Sequence, residues 1–487
     1  MNSKQTGIYL PSLKRLWCLI MLAAAPCFLM AQTDAPRVWS LEDCIQYAWD
    51  NNLQVKQQQL STQLSKLQYD QSIANLFPNI NGTATHVYNY GQTLDLYTNE
   101  FASNRVQSNN FAVSSNVVLF SGLQMLNNLM QKRTDFLASR YDLEQMKNDI
   151  ALTLATAYLQ ILYNIEVLAV AESQLELTQQ QVERMKKLLA AETVTKGSLL
   201  TLEAQQAGEE MSVVNARNQL KLSYLTLVQM LDLPSAEGFE IVKPALVMPE
   251  ASALLVSPQE VYNKSLETQP AIKAANLRIT SAKKGVNMAY GALSPTLSLS
   301  GSWGTGYSGA SKEASVTPGD PVLIGYTYPS LEEVYGPSFN YTYSVKSFGD
   351  QISDNQNKSF GLYLNVPIFN RWQVQTGISS AKIQYKMAEL NYQTTASNLN
   401  KTIQQAHADA LAALERYNAA LKSVDAYQEA FVYTKQKYDV GLLNAIDYND
   451  ASTKLAKAKS DLLQSRYEFV FRVKVLDFYQ GKPLNLN

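Results

Sequence analysis

Two hydrophobic periods divide this chain. Leu154, Tyr158, Ile161, Ile165 and Leu168 recur at gaps of 4, 3, 4 and 3, and Leu414, Tyr417, Leu421 and Val424 keep that register. These gaps hold one helix face apolar and are the spacing of coiled coils. Both stripes lie in runs nearly free of helix breakers: 123–192 has no Gly or Pro, and 371–440 has only Gly377. A helix of about 70 residues is expected in each, reaching roughly 105 Å, whereas a mean globular helix has about 12 residues. That is too long for an ordinary globular core, so the stripe is read as wall packing and not as a ligand surface.

The second period is two. Leu297, Leu299, Gly301 and Trp303 alternate with Ser298, Ser300 and Ser302; Phe360, Leu362, Leu364, Val366 and Ile368 alternate with Gly361, Tyr363 and Asn365. One apolar and one polar face over about ten residues suits a half-buried soluble sheet or a membrane-barrel strand with lipid outside and water inside. Beside helices of such length, the membrane reading is preferred.

The pattern is written twice. Ser40-Leu41-Glu42 through Ala48, Asn51-Asn52-Leu53 and Leu76-Phe77-Pro78-Asn79-Ile80 line up with Ser257-Pro258-Gln259 through Ser265, Thr268-Gln269-Pro270 and Leu293-Ser294-Pro295-Thr296-Leu297, a constant shift of 217. Phe111–Phe120 matches Phe360–Phe369 with a shift of 249, so 32 extra positions fall in the second copy, within 307–357. A first repeat is expected over 32–254, with a β-hairpin at 79–120, a long helix at 122–191, a tip at 192–198 and a returning helix. A second is expected over 255–487, with a β-hairpin at 296–369 and its long outer loop, a long helix at 371–440, a tip at 441–447, a returning helix and a tail. The fold class is mainly α with a small β part. Two hairpins give four strands, which leave two unpaired edges and cannot close a barrel in lipid alone. Copies must assemble, and periodicity does not choose between eight strands in a dimer and twelve in a trimer.

Charge and cysteine usage fit an envelope protein. Lys4, Lys14 and Arg15 precede an apolar stretch, Leu16 to Met30, and Ala31, which reads as a signal peptide, 1–31, cleaved after Ala31. Its removal takes three positive charges and moves the formal charge from −1 to −4, so no nucleic-acid partner is indicated. Cys18 and Cys27 leave with it, and Cys44 alone cannot form an intramolecular disulfide. Pro26 before Cys27 disfavours a lipid anchor there. No later segment approaches about 18 uninterrupted apolar residues, so entry into a membrane is expected by strands.

Together these features resemble the TolC family of outer-membrane efflux proteins. The carriers are Leu41-x6-Ala48-x2-Asn51-Asn52, Pro78 and Pro295 at the helix-to-strand junctions, and Tyr438-Asp439-Val440-Gly441 at the second long turn. The resemblance implies a homotrimer with long α-helical coiled-coil hairpins forming a periplasmic α-barrel and a 12-stranded β-barrel in outer-membrane lipid. It further implies a mixed belt around Pro234 to Pro258 and the C-terminal tail. The tips would dock on a periplasmic adaptor (a membrane fusion protein), which holds an inner-membrane transporter of RND, ABC or MFS type. Docking is expected at Thr193, Val194 and Thr195 and at Val440, Gly441, Leu442 and Leu443. The periplasmic gate is expected at Asp447, Asp450 and Tyr438, the two carboxylates forming rings above the tip. Asp447 also suits a helix-start carboxylate. The chain departs from the family at the latch: Lys196, Gly197 and Ser198 stand in the first copy opposite Ala445, Ile446 and Asp447, and Leu443 replaces a basic residue. The closed state is therefore expected to use other contacts or to be weaker.

Other signals carry less. Gly304-Thr305-Gly306-Tyr307-Ser308-Gly309 fits a dinucleotide-binding glycine pattern, but 310–321 reads as loop instead of helix. His86 and His407 are more than 300 positions apart, so no metal set of known spacing can be written. His86 reads with Trp303 as a barrel residue near an interface. No G-x-S-x-G occurs, so neither an enzyme nor a cofactor is expected. The outer-loop tyrosines (Tyr326, Tyr328, Tyr335, Tyr341 and Tyr343) suggest a partial lid or a plain surface loop. The rival functions are a free-standing porin, which long helices oppose, and a structural coiled-coil envelope protein, which lipid-facing strands oppose.

Overall fold

The computed structural model describes residues 38–102, 105–244, 248 and 256–482. The expected signal peptide lies outside them, as do the C-terminal tail beyond 482 and part of the segment between Pro234 and Pro258. The first half runs β1 (Val38–Trp39), α1 (Leu41–Asn51), α2 (Leu53–Ala74), β2 (Asn79–Asn89), β3 (Thr93–Leu94), β4 (Phe101–Ala102), β5 (Val106–Phe120), α3 (Gln124–Ala190), α4 (Lys196–Met230) and β6 (Glu240–Ile241). The second half runs α5 (Pro258–Thr268), α6 (Pro270–Gly291), β7 (Thr296–Ser308), β8 (Lys312–Pro318), β9 (Val322–Tyr326), β10 (Glu333–Gly336), β11 (Phe339–Val345), α7 (Phe348–Asp354), β12 (Asn357–Asn365), α8 (Gln373–Asp439) and α9 (Ala445–Tyr479).

Local chemistry sets these boundaries in both copies. Ser40 and Ser257 open α1 and α5 with full capping boxes, closed by Asp43 and Glu260. Asn52 ends α1 and caps α2, its Oδ1 accepting from the Gln54 amide at 2.9 Å; Pro270 starts α6 at the matching place. The strand-to-helix turns also repeat: Gly122 and Leu123 have φ of 61° and 62°, Arg371 and Trp372 of 54° and 65°. Gly122 lies against Gly291 so closely that a Cβ on it would stand 2.3 Å from the Gly291 carbonyl oxygen. The two copies therefore meet backbone to backbone where helices become strands. Helices α3 and α8 each hold 67 residues, roughly 100 Å of rise.

The elements form a wall one layer thick. Near the strands α2 packs on α3, α3 on α6 and α6 on α8, and the sheet continues the same order as β2-β5-β7-β12. Ser281 donates to Asp135, and Arg278 pairs with Asp142, so α3 and α6 are also tied by charge. Register sorts the sheet faces. Val113, Trp303 and Lys358 are opposite one another, as are Val117, Leu299 and Leu362, giving an apolar face that ends in a basic residue. Ser114, Ser302 and Ser359 share the other face with Asn116 and Ser300, and the hydroxyls of Ser302 and Ser359 lie 2.7 Å apart.

Two expectations need correction. The alternation through Val366 and Ile368 does not extend the strand: β12 stops at Asn365, because Pro367 has no N–H to give a ladder. Segment 307–357 is not a plain loop, and β8 occupies most of 310–321. Strands β8 and β11 pair antiparallel, β9 and β10 extend them, and α7 closes back onto the end of β7. Beyond the last β7–β12 pair, Gly304–Asn357, one edge of β7 would be left bare. Side chains cover it: Asn355 Nδ2 donates to the Gly306 carbonyl at 2.8 Å, and Gln351 accepts from the Ser308 amide at 2.9 Å.

The main core lies at the belt. Trp39, Leu41, Cys44, Leu154, Tyr158, Ile161, Leu227, Leu231 and Phe239 are buried together beside the parallel β1–β6 pair. The Tyr158 hydroxyl donates to the Val242 carbonyl at 2.5 Å. Helix α3 contains an 18-residue window of mean hydropathy 1.4, apolar enough for a membrane span by composition. Of its side chains between Leu154 and Leu162, those of Leu154, Ala155, Ala157, Tyr158, Leu159, Ile161 and Leu162 are buried in this core.

Candidate functional site at the helical tips

The two tips are built alike. At the first, α3 ends at Ala190, Glu192 turns left-handed with φ 57°, and Thr195 caps α4 by accepting from the Ser198 amide at 3.3 Å. At the second, α8 ends at Asp439, Gly441 turns left-handed with φ 79°, and Asn444 caps α9. Glu192 and Gly441, like Thr195 and Asn444, are separated by the shift of 249. In each turn an amide reaches back into the last helical turn: Thr193 to Leu188 at 3.0 Å, and Leu442 to Lys437 at 2.8 Å. Such closures satisfy the orphan carbonyls of a helix end. Val440 and Leu442 remain exposed, at 71% and 75%.

Above the second tip the expected gate residues separate into two sets. Asp447 and Asp450 are both exposed, while Tyr448 and Asn449 between them, and Ser452 two residues beyond Asp450, are buried. The Asp447 amide donates to Asn444 Oδ1 at 2.9 Å, so this carboxylate sits in the first turn of α9. Asp450 does not stand free: Lys454, one turn on, donates to its Oδ2 at 2.6 Å. Tyr438 lies on the packed side, its ring 4.8 Å from that of Tyr448. Burial pushes both phenols above their ordinary value, with Asp439 adding to the effect and Arg184 opposing it.

The contacts that join the two hairpins involve residues that the pattern did not single out. Arg184 of α3 reaches Asp439 of α8 at 2.9 Å, and its guanidinium lies 5.6 Å from the Tyr438 ring centroid. Farther up, Gln174 Nε2 donates to Ser452 Oγ at 2.9 Å, linking α3 to α9. Asp439 lay in a recognised motif, but Arg184 has no repeat signal, since Tyr433 stands at its counterpart position. Neither Lys196 nor Ser198 enters this set. Among the described residues no group of three or more His, Cys, Asp or Glu is placed to hold a metal. His86 lies exposed on β2 beside Asn109 and edge-on to Tyr88, and His407 lies in α8. The glycines Gly304 and Gly306 belong to strand β7, not to a phosphate loop.

A wall that continues from a sheet with one apolar and one polar face into helices roughly 100 Å long, ending in paired capped turns, has the architecture of a channel that begins in a membrane and extends out of it. The family model for outer membrane efflux proteins matches residues 44–232 and 261–481. The chain belongs to the outer membrane efflux protein family and is placed in the outer membrane, with its helical tunnel in the periplasm. It is 22% identical over 359 residues to the outer membrane efflux protein BepC of Brucella suis biovar 1 (strain 1330), covering 74% of this chain and 69% of that one. It is 25% identical over 335 residues to TolC of Escherichia coli (strain K12), covering 66% of this chain and 59% of that protein. The outer membrane protein VceC of Vibrio cholerae has the same fold, with a TM-score of 0.72 at 15% identity, covering 91% of this chain and 97% of that one.

Proposed function

We propose that this chain is one third of a passive trimeric exit duct serving a tripartite efflux or type I secretion system. The observation that carries this reading is the pair of open edges on the wall. On one side α2 and β2 lack a neighbour, on the other α8 and β12. Both helical edges bear exposed apolar stripes: Leu60, Leu64 and Leu67 on α2, and Ile383, Met387 and Leu390 on α8. The stripes lie at similar depth, because Leu67 is seven residues before the end of α2 and Ile383 ten after the start of α8. Copies placed edge to edge cover both stripes and pair β12 with β2.

Barrel size favours three copies over two. An eight-stranded barrel is just wide enough to be filled by its own side chains, whereas twelve strands enclose a water-filled lumen. Serines and asparagines of the polar face then line the passage. The tips, Thr193 to Thr195 and Val440 to Leu443, where Val194 and Leu443 are partly buried and the others exposed, dock on a periplasmic adaptor bound to an inner-membrane transporter of RND, ABC or MFS type. No catalytic step is assigned to the chain, and energy comes from that transporter.

Negative-stain microscopy and mass measurement of detergent-extracted protein test the assembly. Three-fold particles with a body of roughly 100 Å are expected; compact monomers would overturn it. The gate reading assigns Asp447 and Asp450 to carboxylate rings in the lumen, with Asp450 partly neutralised by Lys454. In planar bilayers, Asp447→Asn with Asp450→Asn is expected to reduce cation selectivity and Lys454→Gln to raise it. Reversal potentials that ignore both changes would remove the rings from the gate.

A further inference from the structure

The segment inserted only in the second copy forms a ribbon with two unlike faces. Phe339, Tyr341 and Tyr343 of β11 stand opposite Pro318, Val316 and Ala314 of β8, all on one face, while Asn340, Thr342 and Ser344 stand opposite Thr317, Ser315 and Glu313 on the other. The aromatic face is open: Tyr343 is 64% exposed, and Phe339 and Tyr341 are similar. A two-stranded ribbon with no third layer is marginal in water, and a row of bare aromatics adds an unsatisfied apolar surface. A second such patch lies on the outer loop of the first hairpin. There Leu94 pairs opposite Phe101, with Phe101 75% and Leu96 87% exposed.

These patches do not cover each other within the protomer, although the bases of their segments are locked together. Asp95 accepts from the Ser308 hydroxyl and from the amides of Tyr97 and Thr98. Gln351 holds the Ser308 carbonyl at 3.0 Å as well as its amide. Both surfaces are therefore presented on fixed supports. Topology supplies what covers them. The ribbon rises between β7 and the edge strand β12, and the Leu94–Phe101 pair follows β2, the strand at the opposite edge. When β12 of one copy pairs with β2 of the next, the two patches lie at the same seam and at the same end of the barrel.

We propose that the aromatic face of the β8–β11 ribbon packs on the Leu94–Phe101 loop of a second copy of this chain, fastening neighbouring protomers at the outer mouth of the channel. This rests on the trimeric reading above. Charge argues against a lipid surface as the occupant: segment 307–357 carries Glu313, Asp320, Glu332, Glu333, Asp350 and Asp354 against only Lys312 and Lys346. An anionic membrane surface repels such a balance.

Two cysteine pairs in the full-length, detergent-extracted protein separate this inference from the assembly itself. Leu64→Cys with Met387→Cys reports the helical seam, and Tyr341→Cys with Leu96→Cys reports the ribbon; the native Cys44 is buried. Under a short bismaleimide both pairs are expected to yield covalent bands of two and three chains. A linked seam with an unlinked ribbon, or ribbon links confined to single chains, would overturn the inference and leave the trimer standing. If neither pair links, the trimer reading fails with it. Triple replacement Phe339→Ser, Tyr341→Ser and Tyr343→Ser is expected to speed thermal dissociation of the oligomer in SDS roughly ten-fold; an unchanged rate overturns the proposal. A fluorophore on Tyr341→Cys that is quenched by brominated lipid would assign the face to the bilayer and overturn it too.

Discussion

Arg184 and Asp439 tie the two hairpins together just above the tips, and in the gate reading proposed above they make the closing contact. Lys196, Ser198 and Leu443 occupy the latch positions that the resemblance implies, and among the described residues none of them links the two hairpins by a hydrogen bond or ion pair. The joint is made a turn higher, by an ion pair of 2.9 Å whose side chains are about half exposed, at 49% and 46%. Exposed pairs of this kind contribute about 0.2–1 kcal/mol. A closed tip held by one such pair per protomer, with Tyr438 and Tyr448 packed beside it, is only lightly fastened. Asp439→Asn is therefore expected to raise the open-to-closed ratio about 1.4- to 5-fold per contact, and Arg184→Gln similarly. Resting single-channel conductance measures this directly. Conductance unchanged in both variants would mean that the pair is ornamental and that aromatic packing alone holds the tip.

At the level of elements, the mirrored tips differ in the residue that holds the left-handed turn, and that difference can be weighed. Gly441 carries φ 79° at no steric cost, whereas Glu192 holds φ 57° with a side chain attached. Glu192→Gly is expected to leave the first tip neutral or more stable by up to about 1 kcal/mol, and Gly441→Ala to destabilise the second by about 1–2 kcal/mol. Thermal unfolding followed by helix signal checks both; equal effects would mean that the turns are not left-handed. The same level shows why some elements were legible in sequence. Absence of Gly and Pro over 123–192 leaves no competitor to helix, so α3 follows from composition, and its 4-3 spacing names the buried face. The strands were legible where serine alternates with leucine, as in β7. The ribbon was not, because Tyr, Ser and Thr suit both faces of a solvated strand and Gly319, Pro329 and Pro337 punctuate it like a loop. Arg184 was invisible for a different reason: its partner lies 255 positions away, a relation that no local spacing carries.

For the whole molecule, stability and assembly draw on separate surfaces. The belt core of Leu154, Tyr158, Ile161 and Leu227 is complete within one chain. The stripe of Leu60, Leu64 and Leu67 is not, since all three stay more than half exposed while facing away from α3. A wall with this division can fold before it closes, and closure then depends on apolar area contributed at every seam. Burying a leucine stabilises by about 1.5–3 kcal/mol, so replacing the three with alanine removes several kcal/mol at each seam of the proposed trimer, even with partial burial. The triple variant is expected to keep its helix content and its thermal unfolding of the belt, yet to lose SDS-resistant oligomers at a markedly lower temperature than the parent protein. Heat-modifiable mobility on gels, read beside circular dichroism, separates the two outcomes. Loss of helix together with oligomer would place the stripe in the protomer's own fold. Retention of both would move the assembly edge away from α2, and with it the pairing of β2 and β12 on which the channel depends.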